Sequence, residues 1–461
     1  MSTRTIQTVN PATGEKTASY ELYSEARSLG IARKAHETFE TKWKRLPIAE
    51  RQQYLKYLAG ALRAKKSEYA KLMTLEMGKP VTQAEAEVEK CAWAAEHYAE
   101  NADKWLADEF VTTDAKMSYV SFEPLGVVLS VMPWNFPFWQ ALRFAIPTLV
   151  AGNTTILRHS NVCPGSALAI EQVFKDAGFP DGVFSTVITD HATVGKLIES
   201  DHIAGVSLTG STEAGQKIGE QAARNFKKFV LELGGSDPFI VLDDADLSQA
   251  AVVGANARLQ NNGQSCICAK RFIVTKSVAS EFIEKFVKEF EKKKFGDPMD
   301  PKTDVGPLVN AEAVQSIEVQ VKDALSKGAE KRFGGSAHKP GSFFEPTVLS
   351  KVDKKMKVMY EEVFGPVAPI YVVENELEAI KTANDSEFGL GSSLWTNSLE
   401  KAKRLAKEIQ SGMVFVNTLT KSDPRMPFGG VKKSGIGREL SKYGLKEFVN
   451  VKSVNIYGNV N

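Results

Sequence analysis

The chain has 461 residues, of which 43% are hydrophobic and 25% charged, with a formal net charge of +2. That length exceeds one ordinary core, so two or three domains are expected. The near balance of charge leaves no basic field for nucleic acid. Four cysteines make no disulfide framework and suit a reducing compartment. Met1 to Thr5 lack an apolar signal core. Apolar stretches such as 126–132 are too short to span a membrane. A cytoplasmic protein without membrane or nucleic-acid partner is expected.

The string Val9-Asn10-Pro11-Ala12-Thr13-Gly14-Glu15 is punctuated by Pro and Gly and reads as a surface hairpin. Apolar residues at three- and four-residue spacing predict helices over 25–39, 48–66 and 67–77. Gly78-Lys79-Pro80 stops the third. Cys91 lies on a further helix and reads as core. The period then changes. Residues 117–124 alternate, and 126–132 form a continuous apolar strand. With the alternating stretch 449–456, this region predicts a two- or three-stranded arm. Such a ribbon is not stable alone and needs another subunit or surface to pack on.

Pro133-Trp134-Asn135-Phe136-Pro137 follows at once. Its prolines fix a turn, and Asn135 offers an amide donor. Beyond it, strands over 151–158, 182–188, 203–210 and 229–233 alternate with helices. That order predicts a parallel, doubly wound sheet. The turn Leu208-Thr209-Gly210-Ser211-Thr212-Glu213-Ala214-Gly215 opens a helix, whose free amides suit a pyrophosphate. It is not a Gly-x-Gly-x-x-Gly fingerprint. After Asp237-Pro238, a strand over 239–242 opens a second α/β region. Its helix over 279–294 carries a Lys/Glu face that reads as solvated surface.

Two further stretches carry chemistry. Leu231-Glu232-Leu233-Gly234-Gly235 offers a carboxylate in an apolar setting. Asn261-Asn262-Gly263-Gln264-Ser265-Cys266-Ile267-Cys268 is a small-polar turn between an apolar run at 251–255, helix or strand, and a strand at 271–275. Backbone can approach a substrate closely at such a turn. A thiol and a desolvated carboxylate are the nucleophile and the water-activating base of an acyl-enzyme reaction. Each residue taken alone is equally explained by packing.

Glu232-Leu233-Gly234-Gly235, followed by Gly263-Gln264-Ser265-Cys266, resembles the aldehyde dehydrogenase superfamily. The strings at 133–137, 210–215, 361–367 and 422–439 extend the resemblance over nearly the whole chain. It implies an aldehyde dehydrogenase-like α/β fold: a doubly wound parallel-sheet cofactor domain, an α/β catalytic domain and a small β oligomerisation arm. The expected boundaries are 1–110 with 133–237, then 238–430, and 111–132 with 445–461. A homodimer or homotetramer is implied. Cys266 would be the nucleophile, Glu232 the base, and Asn135, with the Cys266 amide, the donors that hold the alkoxide.

The resemblance also implies cofactor contacts from Pro133, Trp134, Arg158, Ser160, Asn161, Gly210, Ser211, Gly215, Leu233, Glu362 and Phe364. Glu362 would bond the nicotinamide ribose, and Phe364 would pack on the nicotinamide. Where the family reads Lys-Pro-Ser-Glu, this chain has Arg158-His159-Ser160-Asn161. Asn161 removes a negative charge that would repel a 2′-phosphate. The cofactor is therefore expected to be NADP or NAD, with a lean to NADP. No metal is expected.

Ser422-Asp423-Pro424-Arg425 ahead of Phe428 resembles the shorter, soluble succinate-semialdehyde dehydrogenase branch. Phe428 would close the substrate tunnel. Arg143 needs a partner if buried, and its guanidinium suits a carboxylate; a salt bridge within its helix explains it equally well. In the branch that position binds the substrate carboxylate. The branch's second arginine is Gln260 here, with Arg258 close by. Cys268 matches a cysteine that forms a reversible disulfide with the nucleophile there; simple packing is the other reading. The expected reaction is oxidation of a semialdehyde, succinate semialdehyde by this resemblance, through a thioester hydrolysed by water. A CoA-acylating dehydrogenase or acyl-CoA reductase, and a broader-specificity aldehyde dehydrogenase, are the alternatives.

Overall fold

Two twisted sheets share the molecule, each built from strands that alternate with helices. The computed structural model describes residues 4–458. Residues 1–3 and 459–461, assigned above to the cofactor domain and the arm, lie outside the described residues.

The first sheet has six strands in the order Gly435–Ile436, Lys228–Glu232, Ile203–Thr209, Val127–Met132, Thr154–His159, Phe184–Thr186. Five run parallel, and the short edge strand Gly435–Ile436 is antiparallel to Lys228–Glu232. Thr154–His159 is buried at every position. A parallel strand covered on both faces is buried in this way. The covering helices include Pro137–Val150, also buried throughout.

The second sheet has seven strands, with Ala269–Thr275 between Asp237–Val241 and Val367–Val373 near its centre. All pairs are parallel except the edge pair Glu330–Phe333 and Thr347–Ser350. The run at 251–255 is helical, within Leu247–Leu259. The helices Glu25–Thr41, Ile48–Ala64 and Lys66–Met77 match the predicted periodicity. The charged helix spans Lys276–Glu291. Cys91 is fully buried in the core. The N-terminal strands Thr5–Val9 and Lys16–Glu21 form the expected hairpin.

A third layer is the antiparallel ribbon Glu109–Phe110, Met117–Pro124 and Val449–Ile456. The boundary drawn for the arm at 111–132 needs correction. Val127–Met132 lies inside the first sheet, paired on both sides with parallel strands. Leu125 and Gly126 separate the ribbon from the sheet. The alternation-to-continuous change in the sequence marks that border: a half-exposed ribbon gives way to a strand buried on both faces. Among the described residues no helix is long and apolar enough to cross a membrane.

Candidate active site

Asn135, Ser211 and Glu232 all sit at carboxyl ends of strands of the first sheet. Crevices at that edge are where open parallel sheets bind ligands. Cys266 comes from the other sheet, in the turn that leads into Ala269–Thr275. The two candidate residues thus come from two layers.

The cysteine turn is held in an unusual backbone shape. Asn261 and Asn262 have φ of 51° and 59°, and Gly263 has φ of 76°. Asn and Gly adopt this left-handed region most readily. A Cβ on Gly263 would come within 2.3 Å of Gly365 backbone. Asn261 Nδ2 donates to Asn135 O at 2.7 Å and to Gln264 O at 3.0 Å. Asn135 Nδ2 also donates to Gln264 O, at 3.1 Å. These bonds tie the Asn135 loop to the Cys266 turn. Among the described residues the Cys266 amide has no backbone acceptor. An unused amide beside an Asn side chain can stabilise a developing alkoxide.

Two cavities meet at Cys266. One, of about 260 Å³, is lined by Pro133, Trp134, Asn135, Thr209, Gly210, Ser211, Leu233, Gly234, Glu362 and Phe364. The other, of about 370 Å³, is lined by residues that include Trp139, Arg143, Gln260 and Phe428. Cys266 and Gln140 border both. Such an arrangement lets one ligand approach the sulfur from each side.

Burial pushes the Cys266 thiol up to about 12, against the pull of Lys270 and Arg143. Glu232 is also raised well above the usual carboxylate range, first by burial and then by Glu439. Neither Glu232 oxygen has a hydrogen-bond partner among the described residues. Gly429, with φ of 149°, lets the carboxyl pack close: a Cβ there would lie 2.6 Å from Glu232 Oε1. Burial thus disfavours both the thiolate and the carboxylate.

The residues around the first cavity fit a dinucleotide. The helix Thr212–Arg224 opens at Ser211 with its amides facing the strand ends. Gly215 allows that helix to pack on the sheet, since a Cβ there would lie 2.5 Å from Leu233. Trp134 and Phe364 meet edge-to-face at 5.7 Å. Glu362 Oε1 accepts the Gly235 amide at 3.1 Å and lies 3.2 Å from Lys270 Nζ. Arg158 and Asn161 are bonded to each other at 3.1 Å, with Arg158 also donating to Thr189 O. Ser160 Oγ accepts the Val162 amide at 3.3 Å. These three lie at the end of Thr154–His159, outside the 260 Å³ cavity.

Arg143 is buried and ion-paired with Glu439, and its guanidinium lies 4.3 Å from the Phe428 ring centroid. The ion pair is not the one expected within the helix: its partner lies far along the chain. Arg258 is not available to a substrate. It is fully buried and donates to the carbonyls of Ala269, Gly263 and Val363. Cys268 is buried with its thiol 3.6 Å from Gln260 O.

Several residues escaped the sequence reading. Lys270 donates to Cys266 O at 2.5 Å and to Ser265 O at 2.8 Å. Gln140, Lys90 and Glu439 also border the site or its charged network. Only the Asn261-Asn262-Gly263 string signalled itself, through its preference for left-handed backbone.

The aldehyde dehydrogenase family pattern matches residues 1–454. A probable NADP(+) succinate-semialdehyde dehydrogenase of Synechocystis sp. is 49% identical over 450 residues, covering 97% of this chain and 99% of that protein. The NADP(+) succinate-semialdehyde dehydrogenase of Mycobacterium avium is 46% identical, covering 97% of this chain and 96% of that protein. The structure of succinic semialdehyde dehydrogenase from Streptococcus pyogenes in complex with NADP+ superposes with a TM-score of 0.95 at 40% identity. It covers 98% of this chain and 100% of that one. With the two-sheet fold and a match over nearly the whole chain in hand, the chain belongs to the aldehyde dehydrogenase family.

Proposed function

We propose that this protein oxidises succinate semialdehyde to succinate with NADP+, by way of a thioester on Cys266 that water hydrolyses. The observation that carries the substrate choice is the cationic cavity beyond Cys266, where Arg143 and Lys90 lie among apolar walls. The names of the relatives from Synechocystis sp. and Mycobacterium avium support it. NADP is supported by those names and by Asn161, which places an amide where the family has a carboxylate.

The chain's own groups divide the work. The Cys266 sulfur attacks the aldehyde carbon. Asn135 Nδ2 and the Cys266 amide stabilise the alkoxide that forms. The bound nicotinamide supplies the hydride acceptor that turns this adduct into a thioester. Glu232, once ionised, takes a proton from water, and the hydroxide released attacks the thioester carbon. The thiolate leaves, and the carboxylic acid product is formed. Both nucleophilic steps require a proton to leave a buried acid, so both quicken as pH rises. We also assign the ribbon Met117–Pro124 with Val449–Ile456 to self-association, because it leaves Phe110, Met117 and Val451 exposed.

The test is an initial-rate comparison of succinate semialdehyde with butanal, under NADP+ and NAD+, with and without CoA. CoA-independent turnover that prefers the semialdehyde and NADP+ is expected. A requirement for CoA, or a preference for butanal, would overturn the proposal.

A further inference from the structure

Lys90 is a half-buried cation whose direct partners are neutral. It lies on the helix Val81–Trp105 and lines the same cavity as Cys266, Arg143 and Phe428. Its ammonium donates to Ser422 Oγ at 2.6 Å and sits 4.3 Å from the Trp139 ring centroid. Ser422 Oγ is itself fixed by Trp139 Nε1 at 3.0 Å. The carboxylates nearby are engaged elsewhere. Glu87 is paired with Lys79 and accepts the amides of Phe138 and Trp139. Asp423 is paired with Arg425, and Glu439 with Arg143. Asp304 faces Lys293 and accepts the Lys294 amide. Burial, and then Arg143, push the Lys90 ammonium down to about 8, so it remains mostly charged at neutral pH.

A second feature points the same way. Gln260 Nε2 lines this cavity, is buried, and has no hydrogen-bond partner among the described residues. A half-buried charge without a counter-ion and a buried unused donor both gain when something arrives to pair with them. Arg143 already has a counter-ion in Glu439, and Arg258, which donates to three carbonyls, does not line this cavity.

We propose that Lys90, assisted by Gln260, holds the distal carboxylate of the substrate and so selects aldehydes that end in a carboxylate. This deepens the semialdehyde reading above and rests on it. An ammonium carries three donors, and Ser422 takes one. The others are left for the carboxylate. A neutral aldehyde leaves Lys90 unpaired, and a site built for a polar group rejects an analogue that lacks it. Arg143 then acts as a positioning residue, steadying Phe428 and Glu439.

The experiment uses the full chain with saturating NADP+ at pH 7. It measures kcat/KM for succinate semialdehyde and for butanal in wild type, Lys90→Met and Lys90→Arg. Lys90→Met should lower the semialdehyde-over-butanal ratio at least about 20-fold, mostly through the semialdehyde KM, with Lys90→Arg recovering much of it. An unchanged ratio in Lys90→Met overturns the proposal. A wild type without preference for the semialdehyde sinks the underlying substrate reading instead. Should Lys90→Met fail to fold, Lys90→Gln is read for competitive inhibition by succinate against butanal. A Ki raised at least about tenfold supports the proposal, and an unchanged Ki overturns it.

Discussion

Lys270 links the nucleophile to a residue of the cofactor cavity: its ammonium donates to Cys266 O at 2.5 Å and lies 3.2 Å from Glu362 Oε1. It is fully buried, while Glu362 is 24% exposed. The lysine therefore fixes the carbonyl end of the cysteine turn and the orientation of Glu362 together. Its positive charge also lowers the cost of forming a thiolate. Lys270→Met should lower stability by about 2 kcal/mol, discounted for the partial exposure of Glu362. It should also raise the KM for NADP+ and lower kcat. Thermal melting and cofactor titration check this. A variant as stable and as active as wild type would show the link to be incidental.

Cys266 predicts an alkaline reactivity profile. A thiol pushed up to about 12 by burial is neutral at pH 7, and its thiolate fraction grows with every rise in pH. Only the thiolate is nucleophilic. Inactivation of the cofactor-free protein by iodoacetamide should therefore quicken about tenfold per pH unit from 7 to about 10. A plateau below about pH 8 would mean that the thiol is already ionised and that the pull of Lys270 and Arg143 outweighs burial.

Asn161 predicts cofactor choice. Its Oδ1 accepts from Arg158 at 3.1 Å. Asn161→Glu would place a carboxylate on that guanidinium and oppose a 2′-phosphate. The KM for NADP+ should rise about tenfold while that for NAD+ falls or holds. Initial rates with both cofactors measure it. Equal changes for the two would remove this residue from cofactor selection.

Much of this was legible in the sequence, for particular physical reasons. The parallel sheet announced itself because strands such as Ile203–Thr209, apolar over most of their length and buried at all but one position, alternate with helices. The helices Ile48–Ala64 and Lys66–Met77 showed their buried stripe. The Cys266 and Glu232 motifs lay in short local strings. The charged network did not. Arg143 meets Glu439, Lys270 meets Glu362, and Lys90 meets Ser422, pairings that only the tertiary fold creates. The ribbon was misdrawn at Val127–Met132 because two strands of different burial follow each other with only Leu125 and Gly126 between them.

The ribbon gives a prediction for assembly. Phe110 and Val451 are 71% and 59% exposed on it. They lie on opposite faces of it, opposite Tyr119 and Phe122 respectively, so the two substitutions probe both faces as interaction surfaces. Val451→Asp and Phe110→Asp should shift sedimentation toward smaller species without unfolding the sheets. An unchanged sedimentation coefficient in the double variant would place the interface elsewhere.

The central claim is that Cys266 carries the acyl group and Glu232 sends it to water. Replacing Glu232 with Gln should spare thioester formation and slow its hydrolysis by about 100-fold or more. The direct measurement is intact and peptide mass spectrometry of Glu232→Gln quenched after mixing with succinate semialdehyde and NADP+. The account predicts one succinyl group per chain, on the peptide that contains Cys266, together with a single burst of NADPH. Continued turnover with no acyl group on Cys266 would contradict it.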